Sequence, residues 1–341
     1  MGFIRTVLGD IEPKDSGLTL AHEHTLFGWP GVEHDHRSAL VYDKVLKGLT
    51  DEVEQGKQTF GLGTLVDCTT IENNRYPSLM REVSQASGVN IVCATGFFCE
   101  SMGIPYHWRR QSIDEIADFF VSDVTEGIVG SDIKCGIIKA SSGQDDAFPK
   151  PAPKGPHGRH MGVYEDRVFR AAARAQKRCG VPITTHIDPE DWRVCNIGLE
   201  QLELLMEEGA DPTNTIIGHT FYATIDQLEA ILKHGAYVQL DNVGTGWRGL
   251  DDDVAVDLMI EAISRGYIEQ MLITFDRFWY QLRGDRPFTE EDPEVMERTP
   301  LDFLPGTLLP MLRERGLSDA DIHTITVENP ARLLTFADTA H

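Results

Sequence analysis

The chain has 341 residues, 41% of them hydrophobic and 25% charged, with a formal net charge of −23. Its length suits one large α/β barrel or two ordinary domains, and its composition is that of an ordinary globular protein. The acidic excess argues against a nucleic-acid partner, whose phosphates need a basic face, and against a strongly anionic substrate; a neutral or weakly polar small molecule fits better.

No run of about 20 apolar residues is present, so no transmembrane helix is expected. The opening M-G-F-I-R-T lacks the apolar stretch of a secretion signal. Its match to the M-G-x-x-x-T myristoylation pattern is read as chance, because no second anchoring signal accompanies it. Six cysteines (Cys68, Cys93, Cys99, Cys135, Cys179, Cys195) form no C-x-x-C pair and no dense framework. Free thiols in a reducing cytoplasm account for them.

Short apolar runs alternate with helix-like spacing along the whole chain. The first strand candidate is 18–21, running into His22-Glu23-His24, and it is followed by a helical pattern over 43–59. Next come strand 63–67 and helix 76–87, strand 90–95 and helix 113–128, then strand 136–139 and helix 165–178. The second half repeats the scheme with 181–185 and 198–208, 215–218 and 225–234, 236–241 and 253–265, and finally 271–276 and 304–315. Strand then helix, eight times, is the arithmetic of a single (β/α)8 TIM barrel spanning 1–341. A doubly wound open sheet is the alternative, weakened by the lack of G-x-G-x-x-G after the first strand.

In a barrel the C-terminal strand ends share one face, where active sites of this fold sit. In order those ends carry His22 and His24, Asp67, Thr95, Lys139, His186, His219, Asp241 and Asp276. Turn-forming habit explains Asp67, Thr95 and Asp241 well, but explains histidine at ends one, five and six poorly. Residues i and i+2 of a strand share a face, so His22 and His24 can grip one ion together. Imidazoles and carboxylates converging on one mouth suit hard to borderline divalent ions, zinc first, with manganese, cobalt or iron as alternatives. Lys139 would enter the same mouth. Beside cations its amine is favoured neutral, and a neutral amine can take up carbon dioxide as a carbamate with two oxygens, able to bridge two metals. The competing reading is a plain rim ion pair.

These residues resemble the phosphotriesterase (aryldialkylphosphatase-like) family of the amidohydrolase superfamily, which includes phosphotriesterase-like lactonases. The likeness rests on H-E-H after strand one, I-I-K in strand four, T-T-H in strand five, I-I-G-H in strand six and F-D closing strand eight. It extends to T-V-L-G-D near the start, A-T-G-F-F (94–98), Y-I-E-Q-M-L-I (267–273) and E-N-P-A-R (328–332). The resemblance implies that His22, His24 and Asp276 hold a more buried metal and His186 and His219 a more exposed one. N6-carboxylated Lys139 would bridge them along with a hydroxide. Asp276 would be the catalytic residue that takes the hydroxide's proton, Glu23 would be structural, and the subunits would form a homodimer.

The chain departs from the pattern at informative places. Organophosphate-hydrolysing members carry aspartate where Tyr222 stands and histidine where Asn242 stands, so Asp276 lacks an Asp–His proton relay. Lactonase-type members carry tyrosine where Phe98 stands and arginine at Asn242. The substrate pocket is expected to be apolar, built from Phe97, Phe98, Tyr222, Trp247 and Trp279 with Asn242, about half of these aromatics packing against the barrel.

The segment 141–163 is a Pro/Gly-rich insertion, with four prolines and three glycines between 149 and 162. Lid, oligomer contact and plain surface insertion all remain open for it, and His157 and His160 within it are not expected to be ligands. The stretch 277–302 is the second place where substrate choice should reside. Together these features imply a binuclear metal-dependent hydrolase acting on a lactone or carboxyl ester of a neutral, hydrophobic molecule, with weak phosphotriesterase activity. Amide or carbamate hydrolysis by the same centre is the alternative. A metal-containing binding protein with little turnover is the non-enzymatic one.

Overall fold

The computed structural model describes residues 2–38, 40–143, 155, 158–193, 195–246, 249–282 and 299–336. A small antiparallel hairpin comes first, β1 (Ile4–Thr6) with β2 (Gly9–Ile11). Eight parallel strands follow: β3 (Leu18–Gly28), β4 (Leu62–Asp67), β5 (Asn90–Phe97), β6 (Ile137–Ser142), β7 (Ile183–Ile187), β8 (Thr215–Ile217), β9 (Tyr237–Leu240) and β10 (Met271–Ile273). The chain then adds β11 (Phe278–Leu282), parallel to the upper half of β3, with Phe278 opposite His24. Helices α1 (Tyr42–Phe60), α2 (Pro77–Ser87), α3 (Tyr106–Arg109), α4 (Ile113–Thr125), α5 (Val163–Cys179), α6 (Ile197–Glu207), α7 (Ile225–Leu232) and α8 (Asp252–Ser264) run between the strands. Helices α9 (Leu309–Glu314), α10 (Asp319–His323) and α11 (Asn329–Leu334) follow them. This is a TIM-barrel-like α/β fold.

Each expected strand and helix appears within a few residues of its expected place. The hairpin, the short α3, β11 and the helices after residue 318 were not expected. Helix boundaries follow local chemistry. Ser112 with Glu115 and Thr224 with Gln227 form capping boxes at the starts of α4 and α7, and Gly61, Gly88 and Gly180 close α1, α2 and α5 in the left-handed conformation.

Strand alternation produces two apolar layers. Leu20, Leu65, Ile91, Ile138, Ile217 and Val238 face outward against the helices. Ala21, Val66, Val92, Ile137, Ile216 and Leu272 fill the barrel interior. The inward positions one step further along each strand, toward its C-terminal end, are where polar side chains begin.

Among the described residues, strands β10 and β3 are not joined by a backbone ladder of the kind that links the other neighbours. Their seam is closed by a side chain instead. The Thr274 hydroxyl lies 2.8 Å from both the N–H and the carbonyl oxygen of His22, accepting from the first, and 2.7 Å from Glu23 Oε1. Two backbone bonds, Asp276 N–H to His22 O and His24 N–H to Arg277 O, both at 3.0 Å, complete the closure. Among the described residues, no helix is long and apolar enough to cross a membrane.

Candidate metal centre

A break in the register of β3 sets the site. Leu20 pairs with Leu65 and Glu23 with Asp67, so β3 carries one extra residue between those pairs. Ala21 faces inward, and strict alternation would then turn His22 outward. The bulge resets the alternation, so His22 and His24 face the interior while Glu23 faces the helical layer. Glu23 is wholly buried there and latches the broken eighth strand. It accepts from Thr274 Oγ1 (2.7 Å), Phe275 N (2.8 Å), Arg277 N (3.2 Å) and Trp279 Nε1 (3.0 Å). Burial raises its carboxyl to about 7 against the pull of those bonds. The structural role expected for Glu23 is what is found.

Lys139 and His186 reach the interior by plain alternation on β6 and β7. His219 and Asp276 arrive differently, at left-handed backbone positions with φ of 50° and 55° just beyond β8 and β10, and Asn242 beyond β9 has φ of 57°. Left-handed backbone at non-glycine residues is unfavourable and concentrates where a side chain must be aimed. Two glycines allow the strands to close around the ligands. A Cβ on Gly96 would lie 1.9 Å from the Lys139 carbonyl oxygen, and one on Gly218 would lie 2.2 Å from that of Thr185.

The resulting cluster is buried and mutually in contact. Lys139 Nζ lies 2.6 Å from His22 Nε2, and His219 Nε2 lies 2.7 Å from His186 Nδ1. Asp276 Oδ1 is 3.2 Å from His24 Nε2 and 3.8 Å from His22 Nε2, and its Oδ2 is 3.9 Å from His219 Nε2. Donor atoms of His22, His24 and Asp276 all lie within 4.8 Å of one another, a spacing that one ion can gather. Behind them stands a layer of orienting groups. Thr69 Oγ1 meets His24 Nδ1 at 2.9 Å, Asp241 Oδ2 meets His219 Nδ1 at 3.0 Å, and Gln239 Nε2 meets His22 Nδ1 at 2.6 Å. The Thr69 hydroxyl and the Asp241 carboxylate can accept a ring N–H, which fixes orientation and leaves the opposite nitrogen for a metal, and Gln239 holds the His22 ring in place.

Electrostatics fit a cation. Burial, then the nearby Lys139, holds the His22 imidazole well below its usual range; burial, then His219, does the same for His186. Both are therefore neutral, with lone pairs to give. Burial lowers Lys139, and burial of Asp276 is outweighed by its bond from His24 and by the neighbouring His22 and His219, which hold its carboxyl well below the usual carboxylate range. Burial also opposes protonation of His219, but Asp241 overcomes it and raises that ring. Four imidazoles, an ionised carboxylate and an amine whose charged form is disfavoured, in one buried cluster, form the nitrogen and oxygen donor set of a borderline divalent ion.

The other expected site residues are divided. Phe98 lies with its ring 4.7 Å from that of His186, and its N–H donates to Glu72 Oε1 at 2.6 Å. Asn242 is fully buried, its Nδ2 3.3 Å from His219 Nδ1, so it touches a ligand rather than open space. Tyr222 is half-buried in the turn after β8. Trp247 falls outside the described residues, as does His157. Trp279 requires a correction. It belongs to β11, is fully buried, donates to Glu23 and lies beside Gly56 of α1, so it is part of the barrel–helix layer and not of the mouth. Strand alternation turned it outward where a loop reading had turned it in. Phe97 is likewise core, against Phe119 and Phe120.

Thr95 points away from the centre to Asp123 (2.8 Å), and Asp67 serves as a latch, accepting from Thr25 N and Thr69 N, both at 2.8 Å. Sequence reasoning missed Thr69, Glu72, Gln239 and Thr274. Gln239 was discoverable, since it lies two residues before the strand-end Asp241 and shares its inward face.

A buried histidine, lysine and aspartate cluster at the C-terminal mouth of a barrel defines a metal-dependent hydrolase. Comparison with known proteins agrees. The chain belongs to the phosphotriesterase family, whose model matches residues 2–334. It is 31% identical over 328 residues to an aryldialkylphosphatase of Saccharolobus solfataricus, covering 95% of this chain and 97% of that protein. An N-acetyltaurine hydrolase of Danio rerio is 24% identical over 373 residues, covering 98% of each. Among solved structures, a mutant of a Deinococcus radiodurans PTE-like lactonase superposes with a TM-score of 0.85 at 32% identity, over 97% of this chain and 99% of the other.

Proposed function

We propose that this chain is a binuclear hydrolase of lactones or carboxyl esters of neutral, hydrophobic small molecules, with phosphotriester hydrolysis a weak side activity. The observation that carries the reading is the state of Lys139. Its side chain is fully buried, makes no ion pair among the described residues, and sets its amine 2.6 Å from an imidazole nitrogen. A lysine spends its charge there for no structural return, whereas a neutral amine that adds carbon dioxide and releases a proton becomes a buried anion among metal ligands. His22, His24 and Asp276 would hold one divalent ion, His186 and His219 the second, and carboxylated Lys139 would serve both, with zinc the first choice.

Ions so held supply Lewis acidity, acidifying water and polarising the bond to be broken. The chain's own residues do the rest. Asp276, kept ionised in the centre, accepts the proton of the attacking water on a carboxylate oxygen and can return it to the leaving group. Asp241 and Thr69 keep His219 and His24 turned the right way. Phe98, against His186, gives the mouth an apolar wall and helps exclude bulk water.

Amide or carbamate hydrolysis is the second reading. It is favoured by the N-acetyltaurine hydrolase among the relatives, and it would use the same residues, with Asp276 or Tyr222 protonating the poorer leaving group. Either reading extends to one barrel domain per subunit, a cytoplasmic homodimer and no nucleic-acid partner.

The test is elemental analysis of protein purified without added metal, where two ions per barrel centre are expected. A panel of lactones, aryl esters, N-acyl compounds and aryl phosphotriesters then separates the readings. Absence of turnover across that panel by metal-loaded protein overturns both.

A further inference from the structure

A second group of metal-ligating atoms lies among residues that the centre does not use. Donor atoms of His160, Cys195 and Glu200 fall within 4.8 Å of one another, and all three residues are partly buried. They come from two places in the chain. His160 stands at the end of the long β6–α5 connection, two residues before the N-cap Gly162 of α5. Cys195 directly precedes Asn196, the N-cap of α6, and Glu200 lies in the opening turns of that helix.

The arrangement is already ordered. The His160 ring nitrogen Nδ1 sits 3.0 and 3.2 Å from the two Glu200 oxygens, and the His160 backbone N–H donates to Glu200 Oε2 at 2.8 Å. Next to it, Arg159 pairs with Glu207 on the same helix. An ion entering here therefore meets an imidazole and a carboxylate held by the backbone, with a sulfur beside them.

The chemistry of the three donors selects the ion. A carboxylate alone would take calcium or magnesium; adding imidazole and thiolate moves the preference to zinc and its neighbours. Zinc bonds of about 2.0–2.3 Å in a tetrahedron put donor atoms about 3.3–3.7 Å apart, so the observed spread closes with a rotamer-scale adjustment. Two of the three ligands bind as anions, so a divalent ion leaves the site neutral.

We propose that His160, Cys195 and Glu200 bind a zinc-class ion, separate from the barrel-mouth centre, which staples the end of the β6–α5 connection to the start of α6. On binding, the Cys195 thiol gives its proton to solvent and a sulfur–metal bond forms. The hydrogen bond between His160 and Glu200 gives way to metal bonds from both, and water fills the fourth position. The ion ties His160, just before α5, to the start of α6.

Sulfur makes the proposal separable from the reading of the main centre, whose proposed ligands are all nitrogen and oxygen. Full-length protein stripped with a chelator and reloaded with cobalt(II) is expected to show a near-ultraviolet thiolate-to-cobalt charge-transfer band. Cys195→Ser should lose the band and one equivalent of bound metal while keeping its rate of hydrolysis, and His160→Gln should weaken cobalt binding at least tenfold. Asp276→Asn, which disables the mouth, should keep the band. A wild-type protein with no such band, or a band that survives Cys195→Ser, overturns the proposal.

Discussion

Replacing Thr274 with valine tests how this barrel is closed. Valine matches threonine in shape and β-branching, so at this fully buried position it removes a hydroxyl and opens no cavity. The hydroxyl accepts from the His22 N–H at 2.8 Å and lies within bonding distance of the His22 carbonyl (2.8 Å) and Glu23 Oε1 (2.7 Å). Its loss leaves the buried His22 N–H without a partner, a penalty of about 1–3 kcal/mol, and forfeits a donated bond with a net value near 1 kcal/mol. The expected destabilisation is therefore about 2–4 kcal/mol. It is measured by urea denaturation of chelator-stripped protein, so that metal binding does not mask the change, with an unaltered denaturant slope as the check that the unfolded state is the same. Metal affinity should fall as well, because His22 and Asp276 lie on opposite sides of this seam. A loss below about 0.5 kcal/mol would refute the account of Thr274 as the link between the first and eighth strands.

Other variants address the centre. Asp276→Asn should lower hydrolysis by about 10²–10⁴-fold while leaving the circular dichroism spectrum intact; near-normal turnover would remove Asp276 from the mechanism. Lys139→Ala should lose metal and activity, with partial recovery when a short carboxylic acid is added in place of the carbamate. Undiminished metal content, by elemental analysis, contradicts the bridging role. Glu72→Gln concerns stability against pH. Burial raises the Glu72 carboxyl from 4.5 to about 7, so between those values the folded chain keeps a proton that the unfolded chain has lost. Stability of the parent protein should therefore fall as pH rises through that window. Glutamine still accepts from the Phe98 N–H and carries no such proton, so the variant should gain about 1–3 kcal/mol on the parent across the window. Parallel stability curves from denaturation at several pH values would refute this.

Much of the architecture is legible in the residues because local rules and tertiary packing agree. I-I-K and T-T-H place Lys139 and His186 inward by simple alternation from apolar neighbours, and the capping residues at 112 and 224 mark true helix starts. Where the two levels part, the sequence alone misleads. Phe278–Leu282 carries little to separate a strand from a loop, since its pairing partner is far off in the chain, on β3, where His24 stands opposite Phe278. Trp279 was misplaced with it, because the face a residue presents depends on which strand it joins.

The amino-acid order by itself determined the repeat of strand and helix, the polar strand ends, and the set of four histidines, one lysine and one aspartate available to a metal. Period and residue chemistry are local properties, and they survive without knowledge of neighbours. Only the folded chain decided where those groups point. The extra residue between Leu20 and Glu23 turns both imidazoles of H-E-H into the barrel, and the left-handed backbone at His219 and Asp276 aims their side chains. The sum of strand pairings around a closed barrel imposes that bulge and those torsions, and no single segment encodes it.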